Sequence, residues 1–192
     1  MIKASILWMT ALLFLFPGFT VHTQARDWTV SLFAGRMTGE AWEDAVAAHV
    51  EYEDAYLAAL SIDCALKHYF DKALTLEVEA QVARYFGDQD HFEFNLPLVG
   101  VRWHRFPWQR HLATTFAYGI GPSYATELPT VEASNAGDSE RWMIYWFGEF
   151  TFGPPKGAWG LLLRLHHRSG GFGVVADQGG SNSIAAGLRF CF

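Results

Sequence analysis

Cysteine, positive charge and long apolar segments are all scarce in this chain of 192 residues. The two cysteines are too few for a small scaffold held together by disulfide bonds. The 14 Lys and Arg residues are outnumbered by 20 Asp and Glu. This balance argues against a nucleic-acid partner, because such proteins usually carry a basic surplus. After the first 25 residues no apolar run approaches the roughly 20 residues that a membrane-spanning helix requires.

Aromatic and other hydrophobic residues are abundant, at 16% and 51% of the chain. This content excludes an intrinsically disordered protein, which lacks the apolar side chains that build a core. The length suits one domain, and the sequence contains no internal repeat or low-complexity linker that would mark a boundary. The composition therefore predicts a single folded unit.

The first 25 residues have the features of a secretory signal peptide. Lys3 is the only charged residue among them, and the apolar run Ile6–Phe16 is too short to cross a membrane comfortably. Small residues at Thr23 and Ala25 suit a cleavage site. We therefore expect a signal peptide over residues 1–25, cleavage after Ala25 and a mature domain over residues 26–192. An uncleaved N-terminal anchor is the alternative.

Alternation of apolar and polar residues marks the rest of the chain. In Leu74–Val82 every second residue is apolar, and the residues between them are Thr, Glu or Gln. This period predicts a strand, because charges at every second residue would ring a helix completely. A helix is still compatible with Glu40–His49, which is rich in Ala and Glu. Eight strand segments follow this pattern: Trp28–Gly35, Ala55–Cys64, Leu74–Val82, Phe92–Trp103, Leu112–Gly121, Trp142–Phe152, Ala158–Ser169 and Ser183–Phe192.

The connections between these segments alternate in length, and each short one lies at the same end as both termini. An even strand number with short turns at one end and long loops at the other is typical of an outer-membrane barrel. The last segment ends on Phe192, which resembles the assembly signal of bacterial outer-membrane proteins. We predict an all-β fold, an eight-stranded antiparallel transmembrane β-barrel. A periplasmic β-sandwich or a soluble lipocalin-like barrel is the alternative.

The seventh segment contains the one pair of residues that suggests chemistry. His167 and Ser169 share a face with three leucines, whereas Arg164 and Arg168 lie on the other face. A leucine face meets lipid and an arginine face lines the lumen, so the pair is predicted to lie outside, where the strand ends. Side chains two residues apart are about 7 Å apart at Cα. A local bend would let a serine nucleophile meet a histidine base.

His167-Arg168-Ser169, together with the signal peptide, the strand plan and the terminal Phe192, resembles the PagL family of outer-membrane lipid A 3-O-deacylases. That family is an eight-stranded barrel with a Ser–His–acid hydrolase site on its lipid-facing surface. Related sequences are often described as acyloxyacyl hydrolases. The resemblance implies that Ser169 is the nucleophile and His167 the general base.

Two positions depart from the family pattern. The Asn that follows the family's serine and helps form its oxyanion hole is Gly170 here, followed by Gly171; backbone N–H groups of a glycine pair can take that role. The family's Glu at the start of the last strand is missing, since no Glu follows Glu149. Asn182 has outward parity and is the expected partner of the imidazole, as in Cys-His-Asn sites. Asp177 is the alternative acid.

The expected function is a serine-type hydrolase of the bacterial outer membrane that removes ester-linked acyl chains from lipid A of lipopolysaccharide. No metal or other cofactor is expected, and a homodimer is left open. The alternative is a non-catalytic barrel with a structural or surface-binding role, in which His167 is an ordinary residue at headgroup depth.

Three further expectations concern the interior, one loop and the cysteines. The long acidic loop Pro122–Arg141 should be exposed. Cys64 and Cys191 have opposite parity, so we do not expect them to form a disulfide. Charged residues should fill the lumen of so narrow a barrel, with Arg164, Arg168 and Arg189 paired to Glu77, Glu79 or Glu149.

Overall fold

The computed structural model describes residues 28–39, 51–136, 139–171, 173–176 and 179–192. The predicted signal peptide and the helix considered for Glu40–His49 lie outside these ranges. Within them, no helix combines the length and hydrophobicity that a membrane crossing demands.

The described chain consists of antiparallel strands and one short helix. The sheet follows the predicted alternation, with additional length at several strand ends. The elements are β1 (Trp28–Thr38), β2 (Tyr52–Tyr69), β3 (Leu74–Gly87), β4 (His91–Asn95), β5 (Val99–Trp103), β6 (Ala113–Ala125), α1 (Thr130–Ala136), β7 (Trp142–Gly153), β8 (Trp159–Ser169) and β9 (Gly180–Cys191).

Strands β4 and β5 together occupy one position in the barrel wall. The sequence predicts one strand over Phe92–Trp103, but the structure interrupts it around Pro97, which has no N–H to donate to a neighbouring strand. Both halves pair with β3 on one side and β6 on the other. The Leu96 N–H still donates to the Pro122 carbonyl at 3.0 Å. The wall is therefore a ring of eight strands, as predicted.

Pairing between the first and last strands closes the ring. The β1–β9 ladder runs from Thr29 opposite Cys191 to Thr38 opposite Asn182. Closure leaves no open sheet edge, which is the requirement for a barrel in lipid. The first residues of β1 and the last residues of β9 lie at the same end of the barrel, here called the terminal end. The opposite end, here called the loop end, carries the connections 39–51, 126–141 and 170–179.

The two faces of the wall are the reverse of those in a soluble protein. Large apolar side chains such as Leu32 and Leu161 point outward and are 61% and 56% exposed. The inner face is charged and tightly paired, because buried charges need partners. Arg164 Nη2 lies 2.6 Å from both Glu79 Oε2 and Glu149 Oε2, and Arg102 Nη1 lies 2.9 Å from Glu149 Oε1.

Arg189 pairs with Glu149 at 3.6 Å and with Glu77 at 3.9 Å, as predicted, and Asp63 lies closer still, at 3.1 Å. Two expectations, the partner of Arg168 and the exposure of the acidic loop, need correction. Arg168 pairs with Glu132 at 2.9 Å, and Glu132 belongs to the loop that was predicted to be exposed. The prediction is wrong for this residue, which is 1% exposed, because α1 folds back over the lumen and supplies a partner for the buried guanidinium.

No disulfide bond joins Cys64 and Cys191. They lie opposite Trp28 and Thr29, two adjacent residues of β1. Adjacent residues of a strand point to opposite faces, so the two thiols lie on opposite sides of the wall.

Candidate active site

Four side chains form a row across the outer face near the loop end. Trp146 of β7 lies opposite His167 of β8, His167 lies opposite Asn182 of β9, and Asn182 lies opposite Thr38 of β1. Directly opposed residues in antiparallel strands share a face. Since Leu161 and Leu163 of the same β8 face are more than half exposed, this outer row lies on the apolar exterior.

His167 and Asn182 are in direct contact. His167 Nδ1 lies 2.6 Å from Asn182 Oδ1. An amide oxygen can only accept a hydrogen bond, so Nδ1 carries the proton and Nε2 carries the lone pair that a base requires. The Trp146 ring packs against the imidazole with centroids 4.5 Å apart. His167 and Asn182 are 8% and 5% exposed, which gives the ring a fixed orientation.

Ser169 ends β8 on the same outer face, two residues beyond His167. It is half-buried and lies opposite Ile144 and Gly180. Among the described residues its hydroxyl forms no hydrogen bond, so the structure does not join it to His167. A Cβ added at Gly180 would lie 3.7 Å from the Ser169 Cβ. The closest neighbour of that Cβ would be the Arg168 carbonyl oxygen, at 3.0 Å.

The two glycines after Ser169 differ in what their N–H groups do. The Gly170 N–H donates to the Gly179 carbonyl at 3.2 Å, so it is engaged in the strand pairing rather than presented to a ligand. Gly171 has a φ of +65°, a conformation that favours glycine, and a Cβ there would lie 2.3 Å from Ile144 Cδ1. Within the described ranges the Gly171 N–H donates to no carbonyl. Of the two predicted oxyanion donors, Gly171 is therefore the one whose N–H no described carbonyl engages.

The alternative acid, Asp177, lies outside the described residues. Asn182 is therefore the predicted imidazole partner that the structure brings into place. The described part of the chain contains no group of three His, Cys, Asp or Glu side chains arranged to hold a metal ion.

Comparison with known proteins identifies the fold. No protein-family model and no curated protein matches the sequence. The crystal structure of the outer membrane enzyme PagL is similar, with a TM-score of 0.62 and 12% identity over 84% of this chain and 98% of that chain. At this identity the similarity establishes a shared fold. The chemistry has to be argued from the site itself.

Two residues lie at the site although nothing in the sequence predicts their position there. Trp146 has outward parity like many aromatic residues here, and only the β7–β8 register places it on His167. Glu132 sits in a loop with the composition of a solvated segment, yet it lies behind the site with Arg168 and Ser181. Burial raises the pKa of the Glu132 carboxyl, and the Arg168 guanidinium opposes that rise.

Proposed function

We propose that this protein is a serine-type hydrolase of the bacterial outer membrane that removes ester-linked acyl chains from lipid A. The observation that carries the proposal is the 2.6 Å contact between His167 and Asn182 on the outer face. The contact orients a histidine base two residues from a serine, on the surface that acyl chains would touch.

The apolar exterior supports the membrane setting. A closed barrel with leucine and aromatic residues outside and paired charges inside is stable when lipid surrounds it. The shared fold with an outer membrane enzyme supports the same setting. The loop end, which carries the outer row, would then lie at the outer leaflet, where lipopolysaccharide resides.

The proposed reaction uses one proton shuttle in two steps. Ser169 Oγ attacks the ester carbonyl carbon while His167 Nε2 takes the hydroxyl proton. The tetrahedral intermediate then breaks its bond to the sugar oxygen, which takes that proton and leaves as an alcohol. Water repeats the sequence on the acyl-serine and releases the fatty acid. The Gly171 N–H would stabilise the oxyanion in both steps.

The Ser169 hydroxyl must turn toward His167 when substrate binds. Catalytic hydrogen bonds are often formed only in the substrate complex, so their absence beforehand is compatible with catalysis. Asn182 keeps the imidazole in the productive tautomer, but a neutral amide stabilises the imidazolium less than a carboxylate would. We therefore expect a slow hydrolase.

The test is deacylation in a membrane. The protein is expressed in a Gram-negative outer membrane, and folding is verified by the change in electrophoretic mobility that a folded barrel shows on heating. Lipid A is then analysed by mass spectrometry. We expect loss of an ester-linked acyl chain with the wild type and none with Ser169→Ala. The matched control is Ser31→Ala, which removes an inner-face hydroxyl that has no hydrogen-bond partner within the described ranges.

Two results contradict the proposal. Folded wild type that leaves lipid A unchanged would identify the chain as a non-catalytic barrel. Deacylation that persists in Ser169→Ala would show that another group performs the chemistry.

A further inference from the structure

Glu132 lies on the inner side of the barrel wall, behind the outer row. Helix α1 brings it over the loop end of the lumen, where its side chain is 1% exposed. Ser139 Oγ donates to its Oε1 at 2.7 Å. A carboxylate buried to this degree requires further partners, and the barrel wall supplies them.

These partners belong to the two strands that carry the site. Arg168 Nη1 donates to both carboxylate oxygens of Glu132, at 2.9 and 3.0 Å. Ser181 Oγ donates to Oε2 at 2.8 Å. Arg168 and Ser181 lie directly opposite each other in the β8–β9 ladder. One carboxylate therefore bridges the two strands from inside.

The bridged pair lies between the reactive side chains. Along β8, Arg168 separates His167 from Ser169, and along β9, Ser181 immediately precedes Asn182. Successive residues of a strand point to opposite faces but share a peptide unit. A displacement of Arg168 or Ser181 on the inner face therefore moves the outer side chains as well.

Arg168 depends on Glu132 for its nearest negative charge. Its other hydrogen bonds go to neutral groups, namely Ser123 Oγ and the carbonyls of Glu140 and Arg141. The next carboxylate, Glu93 Oε2, lies 3.8 Å from Nε. Arg168 is 0% exposed, so loss of the Glu132 charge would force this buried guanidinium to rearrange.

We propose that Glu132 is a positioning residue that sets the spacing between Ser169 and the His167–Asn182 pair. It acts through Arg168 and Ser181 from the opposite face of the wall and touches no reacting atom. The proposal rests on the proposed function for its catalytic consequence, although the positioning itself can be observed without turnover.

The kinetic test compares Glu132→Gln with Glu127→Gln, an exposed glutamate of the same loop. Both variants are purified folded in detergent, and kcat and KM for lipid A are measured. We expect kcat to fall about 10- to 100-fold in Glu132→Gln, as misplaced reacting groups do, with an unchanged KM. Glu127→Gln should match the wild type. A lower yield or Tm with unchanged kcat in the folded fraction would overturn the proposal.

A second measurement does not need activity. In protein labelled with ¹⁵N-histidine, the Nδ1–H proton resonance of His167 is assigned with His167→Gln. It should shift or broaden in Glu132→Gln and stay in place in Glu127→Gln. If the wild type fails to deacylate lipid A but this resonance moves, the proposed function fails and the positioning stands. An unmoved resonance overturns the positioning.

Ser181→Ala keeps the test decisive if Glu132→Gln does not fold. It removes only the hydroxyl that links Glu132 to β9. We expect the resonance to move in the same direction by a smaller amount. No movement in folded Ser181→Ala would overturn the bridge between the strands.

Discussion

His166 and His167 are consecutive histidines on opposite sides of the barrel wall. His166 faces the lumen, where Nε2 lies 2.9 Å from Glu93 Oε1 and Nδ1 lies 3.3 Å from Gln81 Nε2. His167 faces outward, where an amide fixes Nδ1 and a tryptophan covers the ring. The first histidine is enclosed by the charged interior, whereas the second lies on the surface that a lipid substrate would reach. The two residues are of the same type, so strand parity alone distinguishes the histidine that pairs with the interior from the one proposed as a base.

The largest difference between the two faces should appear when a central inner charge is removed. Arg164→Met leaves Glu79 and Glu149 buried without their closest cation. Breaking a buried pair in this way costs about 3–5 kcal/mol, measured as the free energy of unfolding in urea with lipid vesicles. Leu163→Met, one residue away on the exposed outer face, should change it by less than about 1 kcal/mol.

Equal losses in these two variants would contradict the difference between the faces. If Arg164→Met does not fold at all, the fraction of folded barrel in the outer membrane gives the same comparison. In that case Leu163→Met should fold to the wild-type level.

The adjacent histidines offer a sharper test. His166→Gln should lower the free energy of unfolding by about 1–3 kcal/mol, because it weakens the contact with Glu93, and should leave most of the deacylation rate. His167→Gln should retain the stability to within about 1 kcal/mol and lower the rate about 100- to 10,000-fold, the contribution of a general base. Urea unfolding and lipid A turnover are measured on both variants. The reverse pattern would place the chemistry inside the barrel.

The smallest expected effect concerns the partner of His167. Asn182→Asp retains an acceptor for Nδ1–H and adds a negative charge that stabilises the imidazolium formed during attack. We expect the deacylation rate to rise about tenfold, equivalent to about 1.4 kcal/mol in the transition state. Asn182→Ala should lower it. Identical rates in the two variants would show that Asn182 does not orient the base.

Most of the fold could be predicted because a barrel wall has a period of two. Alternation assigned Leu161, Leu163 and Leu165 of β8 to the exterior and Arg164 to the interior. The lengths of the loops distinguished the two ends of the barrel. The interruption at Pro97 follows from the missing N–H. The alternation changes phase there, since the outward residues are even-numbered in β4 and odd-numbered in β5. The turn after β2 was less predictable. Phe70, Asp71 and Lys72 have φ values of 52°, 51° and 63°. Residues other than glycine rarely adopt this left-handed backbone conformation, so the sequence does not predict it.

The candidate site was predictable only in part. Parity placed His167, Ser169 and Asn182 on one face, and the structure brings two of them into contact. Parity says nothing about backbone donors, so it did not distinguish the engaged N–H of Gly170 from that of Gly171.

The amino-acid sequence by itself determined which residues of each strand face outward and which face inward, because successive side chains of a strand alternate. Only the tertiary structure decided what those residues meet. The register between strands placed Trp146 and Asn182 on either side of His167. Glu132 belongs to an acidic loop whose composition predicts exposure, yet its side chain lies in the lumen because buried Arg168 requires a carboxylate. Such contacts join residues far apart in the chain, and no local pattern encodes them.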